Sequence, residues 1–156
     1  MKENPSRPDD IRKELSAGAI AAAGFLGDDS RCAEEIIAAD AAALAELGVA
    51  REDLARRLAE TLQAARDALG APVQIAPNLT AVMSEGMGRI ACPWGGCGVF
   101  EKGEAELVDS ATQRRWRISP LGVHLVAAHG FFQGKNSPYR LDVREMCAIF
   151  GLEKKP

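Results

Sequence analysis

A chain of 156 residues has room for one domain, or for two small lobes that share a core. It is 47% hydrophobic but only 5% aromatic and rich in alanine, which points to tightly packed small side chains rather than a core of large rings. The net charge is −3, and no apolar run approaches the roughly 18 residues that span a bilayer, so an integral membrane protein is excluded as a reading.

The acidic Asp9, Asp10 and Glu14 stand where a signal peptide would carry basic residues. The expectation is a cytoplasmic chain without a membrane partner, its four cysteines (Cys32, Cys92, Cys97 and Cys147) reduced. The charge is uneven. Residues 1–88 carry 9 Lys+Arg against 15 Asp+Glu, and residues 89–156 carry 10 against 7. The second segment is mildly basic, too weakly to imply nucleic-acid binding by itself.

Residues 1–8 are polar and broken by proline. From Asp9 to Phe25, Ile11, Leu15, Ala19, Ala22 and Phe25 recur at helical spacing. Asp28, Asp29 and Ser30 offer oxygens to cap a second helix over 30–47, with Ile36, Ile37, Ala41, Leu44 and Leu47 on its inner side. A third helix runs over 51–69, with Glu52 and Asp53 at the positive end of its dipole and Leu54, Leu58, Leu62, Ala65 and Leu69 facing inward. Residues 1–70 thus read as a helical lobe of about three helices. The acidic cluster Asp28, Asp29, Glu34, Glu35 and Asp40 reads as capping groups and solvated surface.

The pattern changes at Ala71. Pro72, Pro77 and Asn78 punctuate an extended stretch through Met83. Ile90–Cys92 and Val99–Glu101 read as short strands around a glycine-rich turn, and Glu104–Asp109 and Arg114–Ser119 as a second hairpin. Trp116 and Ile118 share one face of the last strand, and Arg115 and Arg117 the other. Ser119-Pro120 starts a helix that reaches His129, where Gly130 suits the exit. A loop follows, and Asp142 to Phe150 forms a last short helix. The fold class is α+β: the helical lobe packs on a unit over 71–156 built of hairpins and a helix.

The chemistry concentrates in Cys92-Pro93-Trp94-Gly95-Gly96-Cys97-Gly98 followed by His124 and His129. The pattern is C-x4-C and then H-x4-H, and these are the only two histidines of the chain. Zn2+ takes four ligands in a tetrahedron, and two thiolates with two neutral imidazoles satisfy it and leave a formally neutral site. Two sulfurs presented from one tight turn need sharp backbone bends, which Gly95, Gly96 and Gly98 permit, while Pro93 stiffens the entry. The predicted metal ligands are Cys92, Cys97, His124 and His129, and the predicted cofactor is Zn2+. On a regular helix the two histidines stand about 140° apart, so the helix is expected to tighten or unwind near His129.

Cysteines in a hairpin turn followed by histidines on a helix resemble a Cys2His2 zinc finger. The resemblance covers about Arg89 to Gly130, and the order of knuckle, hairpin and helix also resembles a treble clef. It implies a zinc-stapled module that binds protein or nucleic acid. The cysteine-to-histidine gap departs from the usual finger, since the extra length fits one additional hairpin.

No catalytic residue is assigned. Leu125 follows His124, so there is no H-E-x-x-H, and four good ligands leave no open position for water. Glu85 is the nearest upstream carboxylate and reads as surface. The alternatives are a zinc enzyme with one exchangeable ligand, most plausibly His129, or a redox sensor in which oxidation of Cys92 and Cys97 releases zinc. Arg114, Arg115 and Arg117 beside Trp116, together with Lys135, are candidate anion or nucleic-acid contacts. The simpler reading is a core tryptophan on a strand whose arginines face water. The alanine-rich helices can pack within one chain or against a second copy in a homo-oligomer.

Overall fold

The structure is a computed structural model that describes residues 24–153. The helix expected over Asp9 to Phe25 falls almost wholly outside the described residues. Within them the elements in chain order are α1 (Ala33–Leu47), α2 (Arg51–Asp67), β1 (Val73–Ala76), β2 (Leu79–Ser84), β3 (Arg89–Ala91), β4 (Val99–Glu101), β5 (Glu104–Asp109), β6 (Arg114–Ile118), α3 (Pro120–His129) and α4 (Val143–Phe150). The class is α+β, as the alternation of patterns implies. Among the described residues no helix is long and apolar enough to cross a membrane.

Four strands form one antiparallel sheet in the order β1-β2-β5-β6, and β3 pairs only with β4. The hairpin β3–β4 is therefore an excursion between two strands that are themselves neighbours. Leu79 pairs with Asp109 and Ser84 with Glu104, so the ladder runs unbroken to the point where the excursion leaves it. Alternation places the buried residues on one face: Ala81 pairs with Leu107, and Leu107 with Trp116. All three are buried, as are Ala105 and Ile118 one step along. Helix α2 covers this face through Leu54, Leu58, Leu62 and Ala65 and packs on β1, β2 and β5. The resulting main core also takes Met146, Cys147 and Phe150 from α4 and draws on residues from both sides of residue 70.

The helix ends follow local chemistry. Ser119 adopts extended backbone, and its hydroxyl accepts a hydrogen bond from the Gly122 N–H at 2.9 Å, with Pro120 in the first turn. Asp142 caps α4 in the same way through the Glu145 N–H at 3.1 Å. Two expectations need correction. Helix α2 stops at Asp67 and the chain tightens, with the Leu69 N–H bonding the Arg66 carbonyl at 3.1 Å. Leu69 consequently points into solvent rather than along the inner face.

The second correction concerns the start of α1. Its N-cap is Cys32, with no side-chain cap hydrogen bond. Asp29 does not cap the helix: its carboxylate accepts from the Arg31 side chain at 2.6 and 2.9 Å and from the Lys135 N–H at 3.1 Å. Asp40 is likewise buried, and it holds Arg140 in a two-pronged pair at 2.6 and 2.9 Å. These two carboxylates are therefore not solvated surface. They fasten the segment before α1, and α1 itself, to the loop 131–142. The backbones there touch: the Gly134 N–H bonds the Phe25 carbonyl at 2.7 Å and the Asp28 N–H bonds the Lys135 carbonyl at 3.0 Å. A Cβ on Gly134 would lie 2.2 Å from the Leu26 carbonyl oxygen, and one on Gly27 would lie 2.2 Å from the Lys135 oxygen. Only glycine permits that approach.

Candidate metal centre

The knuckle is built as its sequence dictates. Cys92 directly follows β3, and Cys97 lies just before β4. Gly95, Gly96 and Gly98 all take positive φ, which turns the chain through the required bends. The Gly95 N–H returns to the Cys92 carbonyl at 3.0 Å, closing the turn. Helix α3 packs against β4, so the two histidines face the knuckle.

Cys92, Cys97, His124 and His129 each present a ligand atom, and these four atoms all lie within 4.8 Å of one another. The His129 Nε2 stands 3.4 Å from the Cys92 sulfur and 3.6 Å from the Cys97 sulfur. The His124 Nε2 is buried and has no hydrogen-bond partner, a status it shares among the described residues only with the Arg51 Nε. An orphaned ring nitrogen costs free energy unless something is placed to accept its lone pair or its proton. Cys92 is buried and the other three residues are half-buried.

The helix does not loosen to bring the histidines together. It continues to His129 and ends at Gly130 in a left-handed cap, whose N–H bonds Val126 at 3.1 Å while the Phe131 N–H bonds Leu125 at 3.0 Å. Convergence comes from the side chains instead. Cys92, Cys97 and both rings meet although α3 keeps its helical path. The rings meet edge to face, with centroids 5.3 Å apart.

Two aromatic residues that the spacing did not single out as site residues complete the surroundings. Trp94, inside the knuckle, stacks on His129 with centroids 4.5 Å apart and planes 12° apart. Phe100, on β4, stacks on His124 at 4.6 Å and 30°. The signal available in the sequence was their position: one lies between the two cysteines and the other three residues after Cys97. Arg51 sits behind His129, where its guanidinium reaches the Ala127 carbonyl at 3.5 Å at the negative end of α3.

Burial dominates the electrostatics of the cluster. Burial pushes the Cys92 thiol up to about 11, the nearby Cys97 adds to this, and the backbone of Trp94 partly offsets it. Burial lowers the pKa of both imidazoles, and His124 and Arg51 lower His129 further. Both shifts favour the uncharged imidazole, the form that coordinates a metal, and the Cys92 proton is displaceable by a metal ion. The four residues form a cluster able to hold one metal ion.

The candidate anion contacts lie elsewhere, and each arginine already faces a carboxylate. Arg114 pairs with Glu145 at 2.6 Å, Arg115 with Glu106 at 2.6 Å, and Arg117 lies 3.9 Å from Glu104. Lys135 joins the fastening of the loops through its backbone N–H. Trp116 is buried and donates its indole N–H to Glu145 at 3.0 Å. Glu85 is exposed.

The fold and site together define an α+β protein with a Cys2His2 cluster at the junction of a hairpin and a helix. Comparison with protein-family models, with curated proteins and with solved structures gives no match.

Proposed function

We propose that Cys92, Cys97, His124 and His129 bind one zinc ion, that the ion is structural, and that the chain acts by binding a partner. The observation that carries this reading is the convergence of four ligand atoms from two distant segments of the chain. With metal–sulfur bonds of about 2.3 Å and metal–nitrogen bonds of about 2.0–2.1 Å, a tetrahedral site has sulfur–nitrogen edges of about 3.5 Å. The distances of 3.4 and 3.6 Å from His129 to the two sulfurs match such edges. The unpartnered His124 nitrogen gains a partner when the ion binds. Two soft thiolates with two imidazoles favour zinc over calcium or magnesium, which take oxygen ligands.

Four ligands fill the tetrahedron and leave no place for substrate or water, which favours a structural ion over a catalytic one. The enzyme alternative needs His129 to exchange, and its spacing from both sulfurs is that of a held ligand. A protein partner is favoured over nucleic acid, because the arginines of β6 are matched by carboxylates. A gel-shift titration over a range of salt concentrations separates the two, since phosphate contacts give steeply salt-dependent binding.

The direct test is elemental analysis of the purified protein beside Cys92→Ser. About one zinc per chain, lost in the variant, is expected. A well-folded wild-type protein without metal refutes the proposal.

A further inference from the structure

Resting on the zinc reading above, we infer that Trp94 and Phe100 form an aromatic clamp that sets how tightly the metal is retained, each fixing one imidazole by stacking on its face. The geometry is specific. The indole of Trp94 lies nearly parallel to the His129 ring, 12° off and 4.5 Å away, and Phe100 covers His124 at 4.6 Å. A histidine ligand needs its ring held in one plane so that Nε2 points at the ion. Many histidine sites do this with a carboxylate or carbonyl accepting the other ring N–H. At this centre the faces of both rings are held by aromatic neighbours.

The clamp is itself anchored. Trp94 meets Phe131 edge-on at 5.3 Å, and Phe131 is fully buried in the small core beneath the site. Phe100 pairs with Ile90 across the hairpin, and both pack on that same core. Trp94 and His129 are both half-buried, so the indole screens one face of the imidazole from water. Removing the indole frees the ring to rotate and admits water beside the metal–nitrogen bond. Both changes favour release of the ion. Trp94 and Phe100 are thus positioning residues, acting on the metal only through the histidines.

The experiment measures zinc affinity by competition with a chromophoric chelator for wild type, Trp94→Ala, Trp94→Phe and Phe100→Ala. Cobalt replacement in each variant reports the ligand geometry by its visible absorption. The expected result is about 10- to 100-fold weaker zinc binding in Trp94→Ala and in Phe100→Ala, the range found when groups supporting a metal ligand are removed. Trp94→Phe, which keeps a ring to stack, should recover most of the loss. The cobalt spectrum should stay tetrahedral in Trp94→Phe and broaden in Trp94→Ala. Affinity in Trp94→Ala equal to wild type overturns the inference, as does an equal loss in Trp94→Phe and Trp94→Ala. Absence of zinc binding in wild type overturns the metal reading itself, so the two failures are distinguishable.

Discussion

Among the described residues there are two hydrophobic clusters of unequal size, and the candidate metal centre belongs to the smaller. The main core gathers twenty buried residues under the four-stranded sheet, whereas the cluster beneath the knuckle has eight, among them Phe25, Ile36, Leu125 and Phe131. The main core is sustained by strand pairing and by α2 lying along the sheet. The smaller one brings together the segment before α1, one face of α3 and a two-stranded hairpin, and an isolated hairpin of that size is marginal in water. The difference suggests a division of labour. Burial holds the sheet, and on the proposed reading a metal ion bound by Cys92, Cys97, His124 and His129 would fasten what burial alone holds weakly.

The largest test of that contrast is metal removal. Chelation should collapse amide protection in 89–101 and 121–131 while β2 and β5 keep theirs, as followed by hydrogen exchange. Simultaneous loss across both regions would show one cooperative unit instead of two. Next in size is Asp40→Ala, which removes the two-pronged partner of Arg140 and leaves it the Gln133 carbonyl at 2.9 Å and Asp142 at 3.6 Å. We expect a loss of about 1.5–3 kcal/mol in urea unfolding, with or without metal, because the pair ties α1 to the loop 131–142.

The pH dependence of the metal-free protein should follow the site. His124 and His129 titrate below their ordinary value of 6.5 in the folded state, so the unfolded chain binds more protons there. Stability is then full above that value and falls as pH drops through the folded pKa values. Cys92 moves the other way, from 9.0 to about 11, so the folded state keeps a proton the unfolded chain loses. Its contribution is full below 9.0 and is lost as pH rises toward 11. Thermal unfolding against pH should show a plateau between these limits. Zinc loading should abolish the alkaline limb, because the bound thiolate has no proton to lose. Asp29, held well below the usual carboxylate range first by its hydrogen bond with Arg31, adds stability above that range that fades only in strong acid. The smallest effect is Ser119→Ala, at about 1 kcal/mol for the lost cap of α3.

Much of this was legible where the physics is local. The glycines of the knuckle and the cap at Ser119 act within a few residues, and the structure shows both as conformations. The strand pairing of β2 with β5 was not legible, because their contact skips nineteen intervening residues and no short-range signal encodes it. Asp29 and Asp40 were misjudged for a related reason. A carboxylate in an acidic run looks solvated until a partner from the far end of the chain, Lys135 or Arg140, is brought against it. The convergence of His124 and His129 was obscured by treating a helix as a wheel of angles, which ignores the length of the side chains.

Because β2 and β5 are direct neighbours with the knuckle looped out between Ser84 and Glu104, the register of the sheet is set without the excursion. Exchanging residues 86–102 for a short turn should leave the ladder in register. The change would be felt instead in the smaller cluster, which loses the packing of Ile90, Cys92, Trp94 and Phe100.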